Sequence, residues 1–414
     1  MTGGDERLLA RLAGVEVGDG PEAAVAERLD RTGDGAVRGS LNNAVLVLGE
    51  DTRWAGRLRW SRFEGQPFLD GEPVTDHALT SAGLWLDRVY ALRPSSEGLM
   101  RALVHVARER PFHPVADWLS SLSWDGIPRL DGLLERGFGA EGTALHRQFG
   151  RRWLIGAVAR VLQPGCKLDT MVVLVGPQGG RKSSACAAMV PEPRWFSDTP
   201  VDLGSKDAMV QLQGVWMIEV AELHALRRAS TDAVKAFLSS RSDRYRPPYG
   251  RIAEDHPRQV VFVGTTNDEE FLVDPTGSRR FWPVRVGRID VQWIIAHRDA
   301  LWAEAVAAYQ RDEPWWLDAE GEAALVEQSR GHQVGDAWHE VVERWVARQP
   351  QPFTVEQVLL EVLHVPVAQM GRSQRTRVGR ILSLLGCEQR RPGGARRLRF
   401  WHAPGWSDAA EAGG

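Results

Sequence analysis

Eight residues, Gly176-Pro177-Gln178-Gly179-Gly180-Arg181-Lys182-Ser183, follow the apolar run Met171-Val172-Val173-Leu174-Val175 and precede a helical stretch from Ala185. Strand, glycine-rich turn, Lys-Ser and helix is the order that binds a nucleoside polyphosphate. Small residues let backbone N–H groups turn inward around phosphate oxygens, and the positive end of the next helix adds to the field. Gly176, Gly179, Gly180 and Ser184 line that cradle. Lys182 is expected to bring a point charge to the β and γ phosphates of ATP, and Ser183 a hydroxyl to Mg2+. Arg181 departs from the pattern G-x-x-x-x-G-K-[ST], because a glycine in its place would turn without a Cβ penalty.

Three later segments could complete such chemistry. Val215-Trp216-Met217-Ile218-Glu219-Val220-Ala221-Glu222 is an apolar strand ending in carboxylates, 37 residues (219 − 182) after the loop lysine. Glu219 suits the metal side and Glu222 the base that polarises an attacking water, although the two roles could be exchanged. Val260 to Asn267 is a second apolar strand, and it ends in an amide, Asn267, able to hold that water near the γ phosphate. Asp274 to Trp282 carries Arg279 and Arg280, either of which could reach a neighbouring subunit's γ phosphate.

Two basic segments suit nucleic acid. Between the strands lies Arg241-Ser242-Asp243-Arg244-Tyr245-Arg246-Pro247-Pro248-Tyr249-Gly250-Arg251. Arg244, Arg246 and Arg251 could track phosphates while Tyr249 stacks on a base of single-stranded DNA. Residues 371–401 hold nine arginines against one acid, Glu388. Arg372, Arg375 and Arg377 lie on or before a helix and Arg396 and Arg397 in the segment after it, a helix-and-wing arrangement for duplex DNA.

The elements around these residues fall into three regions. Residues 1–135 read as an N-terminal α+β domain, with a hairpin turning at Glu64-Gly65 and a helix capped by Ser96 that carries Leu99, Leu103 and Val106. Residues 140–318 alternate short apolar runs (170–175, 215–219, 260–265) with helices, which predicts an α/β core with a buried parallel sheet. Residues 335–414 give three helices, 337–348, 355–363 and 374–385, a terminal hairpin and a polar tail from Ser407: a winged helix. The 414-residue chain is 43% hydrophobic and 25% charged, the balance of an ordinary folded protein, and its net charge of -3 means that any basic surface must be local. Three cysteines without paired spacing argue against a disulfide framework or a cysteine zinc site. No apolar run approaches membrane length and no secretory leader is legible, so a cytoplasmic location is expected. The 17 tryptophans are expected to pack chiefly in the core. His105 and His113 have poor metal spacing and read as structural.

Several of these segments, taken in order, resemble the virulence-associated E family. They are Pro111-Phe112-His113-Pro114, Trp124-Asp125-Gly126-Ile127-Pro128-Arg129-Leu130, Gly176-Pro177-Gln178-Gly179, Glu219 to Leu223, Asp243 to Arg251, Gly264 to Asn267 and Thr276 to Pro283. The resemblance implies a P-loop NTPase of the AAA+-like kind, related to the helicase half of phage and plasmid primase-helicases and similar to superfamily-3 helicases. It implies a hexameric ring on single-stranded DNA, with Arg244 to Arg251 in the pore and Arg279 or Arg280 acting across the subunit interface. A primase is often fused in that family; none is read here, so primer synthesis is expected from another chain. The expectation is an ATP-dependent helicase-like motor for replication of a mobile element. A DNA-binding assembly or regulatory ring without turnover, because of Arg181, is the second reading. A nucleotide-gated switch in phage defence is the third.

Overall fold

A computed structural model of the chain describes residues 21–200, 207–221, 231–246, 252–267, 279–333, 338–390 and 400–404. The chain divides into two compact units, Met1–Asn267 with Trp282–Trp316, and Asp268–Phe281 with Leu317–Gly414. Among the described residues no helix is long and apolar enough to cross a membrane.

The first unit opens with helices α1 (Pro21–Glu27) and α2 (Leu41–Glu50), then strands β1 (Leu58–Ser61), β2 (Gln66–Leu69) and β3 (Glu72–Pro73). Helices α3 (Asp76–Tyr90) and α4 (Ser96–Arg108) and strand β4 (Pro111–Phe112) follow. The β1–β2 hairpin turns where Glu64-Gly65 predicts, with Leu58 opposite Leu69 and Ser61 opposite Gln66. Each long helix starts on a hydroxyl that accepts an otherwise unpaired N–H: Ser40 from Asn43, Thr75 from Ala78 and Ser95 from Gly98. The cap of α4 is thus Ser95, not Ser96, because an N-cap oxygen reaches the N–H three residues on. Leu48, Trp54, Leu58, Trp85, Leu86 and Leu103 fill the core between these helices and the sheet. Buried Asp51 accepts from Tyr90 Oη at 2.7 Å and pairs with Arg53 at 2.5 Å.

Helix α5 (Pro114–Ser121) is capped by a side chain, since His113 Nδ1 accepts from Ala116 N. Trp124 to Leu130 then folds as a tight structural knot. Arg129 grips Asp125 with two hydrogen bonds, and Trp124 Nε1 donates to Ile127 O. Buried Glu304 accepts from the N–H groups of Arg129 and Leu130 and from Arg151.

The central layer is five strands in the order β11-β5-β10-β7-β6: β5 (Met171–Val175), β6 (Phe196–Ser197), β7 (Met217–Val220), β10 (Val261–Thr266) and β11 (Phe281–Arg285). β5 with β10, β10 with β7 and β7 with β6 are parallel. Helices α6 (Ala144–Leu162) and α10 (Val291–Gln310) bury residues on several sides, which is why neither shows a simple apolar stripe; between them in the chain come the short helices α8 (Asp207–Gln211) and α9 (Thr231–Ser239). Trp118, Trp195, Trp216 and Trp302 pack together, with Trp216 and Trp302 centroids 4.3 Å apart. Each of the latter two also donates its ring N–H to a backbone oxygen, Ala157 O and Met189 O. The chain leaves β5 towards β6 at one edge and leaves β10 towards β11 at the other. β5 and β10 are neighbours whose carboxyl ends send the chain in opposite directions, the place where open α/β sheets form a ligand crevice.

The second unit has its own core. Helices α11 (Ala319–Gln333), α12 (His339–Val346) and α13 (Val355–Gln357, continued by a π turn over Val358–Val362) precede α14 (Arg372–Leu384). Strands β12 (Glu388–Arg390) and β13 (Phe400–His402) pair antiparallel. Val342, Phe353, Val358, Leu359, Val378, Ile381, Leu382 and Trp401 form the core.

Candidate functional site

The loop after β5 enters helix α7 (Lys182–Ala188) at Arg181, which takes φ 62°, ψ 22°, the left-handed geometry that glycine adopts without strain. Arg181 therefore keeps the turn that a glycine would make, at a conformational cost. At the start of the loop Gly176 donates to Thr266 O at 3.0 Å, and a Cβ there would lie 2.7 Å from Val286 Cγ2. Any other residue there would force Val286 to shift. Lys182 Nζ donates to Gly176 O at 2.8 Å and to Pro177 O at 2.9 Å, so the ammonium closes the loop on itself. Gly179 stands at φ 78° within the loop, and Ser184 is exposed on the first turn of α7.

Ser183 and Glu219, 36 residues apart, meet in space. Ser183 Oγ donates to Glu219 Oε1 at 2.8 Å. Thr265 Oγ1, from β10, donates to the same oxygen at 2.5 Å. Glu219 is 2% exposed, and its Oε2 is buried without a hydrogen-bond partner. A buried carboxylate oxygen with free lone pairs is costly unless something else occupies them. That oxygen and the Ser183 hydroxyl are hard donors on neighbouring elements, the donor set that Mg2+ shares with phosphates and water. Behind them, burial and then the Glu219 charge push the Cys186 thiol well above its ordinary value. Asn267 follows β10 and is exposed. Glu222, the expected base, lies outside the described residues.

The basic segment forms a hairpin of β8 (Ser242–Tyr245) and β9 (Glu254–Pro257). Asp243 and Tyr245 point inward and Arg244 outward. The root is a buried ion pair: Arg258 Nε and Nη2 each meet an oxygen of Asp243 at 2.7 Å, and the guanidinium lies 4.4 Å over the Phe237 ring. Further out, Arg244 faces Asp255 across the hairpin at 3.3 Å. Arg246 is exposed, and Tyr249 and Arg251 lie outside the described residues.

Arg279 and Arg280 fall in the second unit, where Arg279 lies 3.9 Å from Glu322. On α14, Arg375 meets Glu356 at 3.4 Å and the Arg377 guanidinium sits 4.0 Å over the Trp338 ring. The side chain of Arg372, and all of Arg396 and Arg397, lie outside the described residues. Residue reading missed Thr265 and Arg258, which look like ordinary strand and loop positions until their partners are seen. It also gave no weight to the acids of the return arm, although Glu254-Asp255 is plain in the sequence.

A family model for the virulence-associated protein E-like domain matches residues 119–334, just over half of the chain. No curated protein matches. Among solved structures, the apo structure of the NrS-1 C terminal region (305-718) aligns over 84% of this chain and 95% of its own, with TM-score 0.42 and 10% identity. The A form apo structure of the NrS-1 C terminal region aligns over 69% and 78%, with TM-score 0.38 and 13% identity.

Proposed function

The chain belongs to the virulence-associated protein E-like domain family, and from that premise we propose that it is an ATP-driven motor acting on DNA during replication of a mobile element. The observation that carries this reading is Glu219: a buried carboxylate bonded to Ser183 of the loop, with its second oxygen left without a partner. It stands on β7, one strand over from the β5–β10 switch point, and bonds to Ser183 next to the loop lysine, which supports a P-loop core.

In this reading the loop N–H groups and Lys182 bind the β and γ phosphates. Lys182 must first release Gly176 O and Pro177 O, so nucleotide binding exchanges those two bonds for contacts to phosphate. Ser183 and Glu219 hold Mg2+, which when bound neutralises charge developing on the phosphate oxygens. Asn267, at the end of β10, orients the attacking water, and Glu222 is assigned to receive its proton. Arg279 or Arg280 acts on the nucleotide of a neighbouring subunit, which requires a ring. The β8–β9 hairpin tracks single-stranded DNA. The helices and two-stranded sheet of the second unit act as a winged helix on duplex DNA.

The test is steady-state ATP hydrolysis with and without single-stranded DNA. Turnover that DNA stimulates and Lys182→Ala abolishes is expected. Turnover no higher than in that variant would end the motor reading. It would leave a regulatory ring that binds DNA without hydrolysis, a reading favoured by Lys182, whose ammonium is held by Gly176 O and Pro177 O.

A further inference from the structure

The hydroxyl of Thr265 has no role in the mechanism as given. β10 and β7 run in register with Val263 beside Glu219, so Val261, Val263 and Thr265 share the sheet face that carries the Glu219 side chain. Two of those three positions are the β-branched apolar residues that a buried strand prefers. The third keeps the β-branched shape and adds a hydroxyl, although it is only 4% exposed. A buried hydroxyl costs free energy unless it finds a partner. Here the partner is the carboxylate: Thr265 Oγ1 donates to Glu219 Oε1 at 2.5 Å. Ser183 donates to the same atom, so the two hydroxyl protons together occupy the lone pairs of Oε1. Rotating the carboxylate would break both bonds at once. Only Oε2 is left with capacity to accept.

We propose that Thr265 is a positioning residue that locks the Glu219 carboxylate so that Oε2 alone serves the Mg2+–nucleotide complex. The inference rests on the reading of this site as a Mg2+–nucleotide site. Thr265 touches neither nucleotide nor metal; it acts through Glu219. Ser183 cannot do this by itself, because its hydroxyl is also assigned to Mg2+ and it adjoins Lys182, whose bonds to Gly176 O and Pro177 O must be exchanged when phosphate binds. Thr265 sits on a central strand and holds the carboxylate through that change. The same face of β10 leads on, two residues later, to Asn267, so one strand sets both the carboxylate and the amide.

The test compares Thr265→Val, Thr265→Ser and Thr265→Ala in the full chain. ADP binding is measured by calorimetry with and without Mg2+, and ATP hydrolysis at saturating Mg2+. Thr265→Val is expected to bind ADP as the parent does without Mg2+. It should lose about 10–100-fold of the gain in affinity that Mg2+ brings, the usual effect of removing a partner behind a metal ligand. Its kcat should fall and its KM for ATP should rise alongside the lost Mg2+-dependent affinity, and Thr265→Ser should restore both properties. If Thr265→Val does not fold, the Ser and Ala variants, which differ by one hydroxyl, make the same comparison. Equal Mg2+ dependence in the Ser and Ala variants, or in the Val variant and the parent, overturns the proposal. Failure of the underlying site is seen separately: the parent itself would show no Mg2+-dependent ADP binding and would match Lys182→Ala, which overturns both.

Discussion

Arg181 is where residue type and backbone disagree most openly. A left-handed L-residue costs about 1–2 kcal/mol, and glycine gives back part of that through its freer unfolded chain. Arg181→Gly is therefore expected to leave stability unchanged or raise it by up to about 1 kcal/mol, while the same change at Arg101, within α4, lowers it by about 1 kcal/mol. Denaturant midpoints of the two variants check this. The cysteines make a second prediction. Burial raises the thiols of Cys166, Cys186 and Cys387, the last to about 11. A thiol raised on folding keeps its proton longer than the unfolded chain does, so its contribution is complete below about pH 8.5 and is lost as pH rises. Stability should fall between about pH 8.5 and 11, and replacing all three cysteines by alanine should flatten that fall in a pH series of urea unfolding. At this scale the sequence spoke for the loop, for Ser183 and for Glu219, because motif spacing is local. It was silent on Glu304, which caps the Trp124–Leu130 knot from far along the chain. A residue whose partner is remote carries no local signal.

Strands and helices were legible in proportion to their length and burial. β5, β7 and β10 are apolar runs bounded by turns, and the expected bounds differ from the observed ones by a residue or two. β6 has two residues, too short for any period. β11 contains Pro283, which argues against a strand from sequence alone, yet β11 lies at the sheet edge, where a missing N–H is tolerated. The span read as helix over 355–363 is a short α-helix running into a π turn, a distinction that side-chain periodicity does not carry. The β8–β9 hairpin is the element whose reading changed. Its basic arm is partly neutralised by its own return arm. Neutralising Arg244 and Arg246 is expected to weaken single-strand binding and to lower the salt slope by about 0.7 per lost phosphate contact. Asp255→Asn, which frees Arg244, should strengthen binding at the same salt. Fluorescence titrations at several salt concentrations separate the two, and unchanged affinity in both variants would remove the hairpin from the DNA path.

For the molecule as a whole, the first compact unit runs from the N-terminal helices through the parallel sheet to Asn267 and resumes at Trp282. The segment with Arg279 and Arg280 clusters instead with the C-terminal residues. Composition could not foresee this, because contacts between distant segments decide it. Removing residues 335–414 is expected to abolish duplex binding and to spare ADP binding, read by electrophoretic shift and calorimetry. Loss of both together would make that region part of the scaffold.

Trp216 and Trp302 lie 4.3 Å apart, their planes inclined by 36°. Indoles so close and so tilted couple their electronic transitions, and coupled chromophores split into a circular-dichroism couplet that separated ones lack. Trp216 immediately precedes β7, the strand of Glu219. The protein thus carries an unlabelled optical gauge on the strand of its candidate site, readable during a nucleotide titration. Phe substituted for either indole would weaken it, leaving only the wider couplings to Trp118 and Trp195, at 6.1 to 6.5 Å.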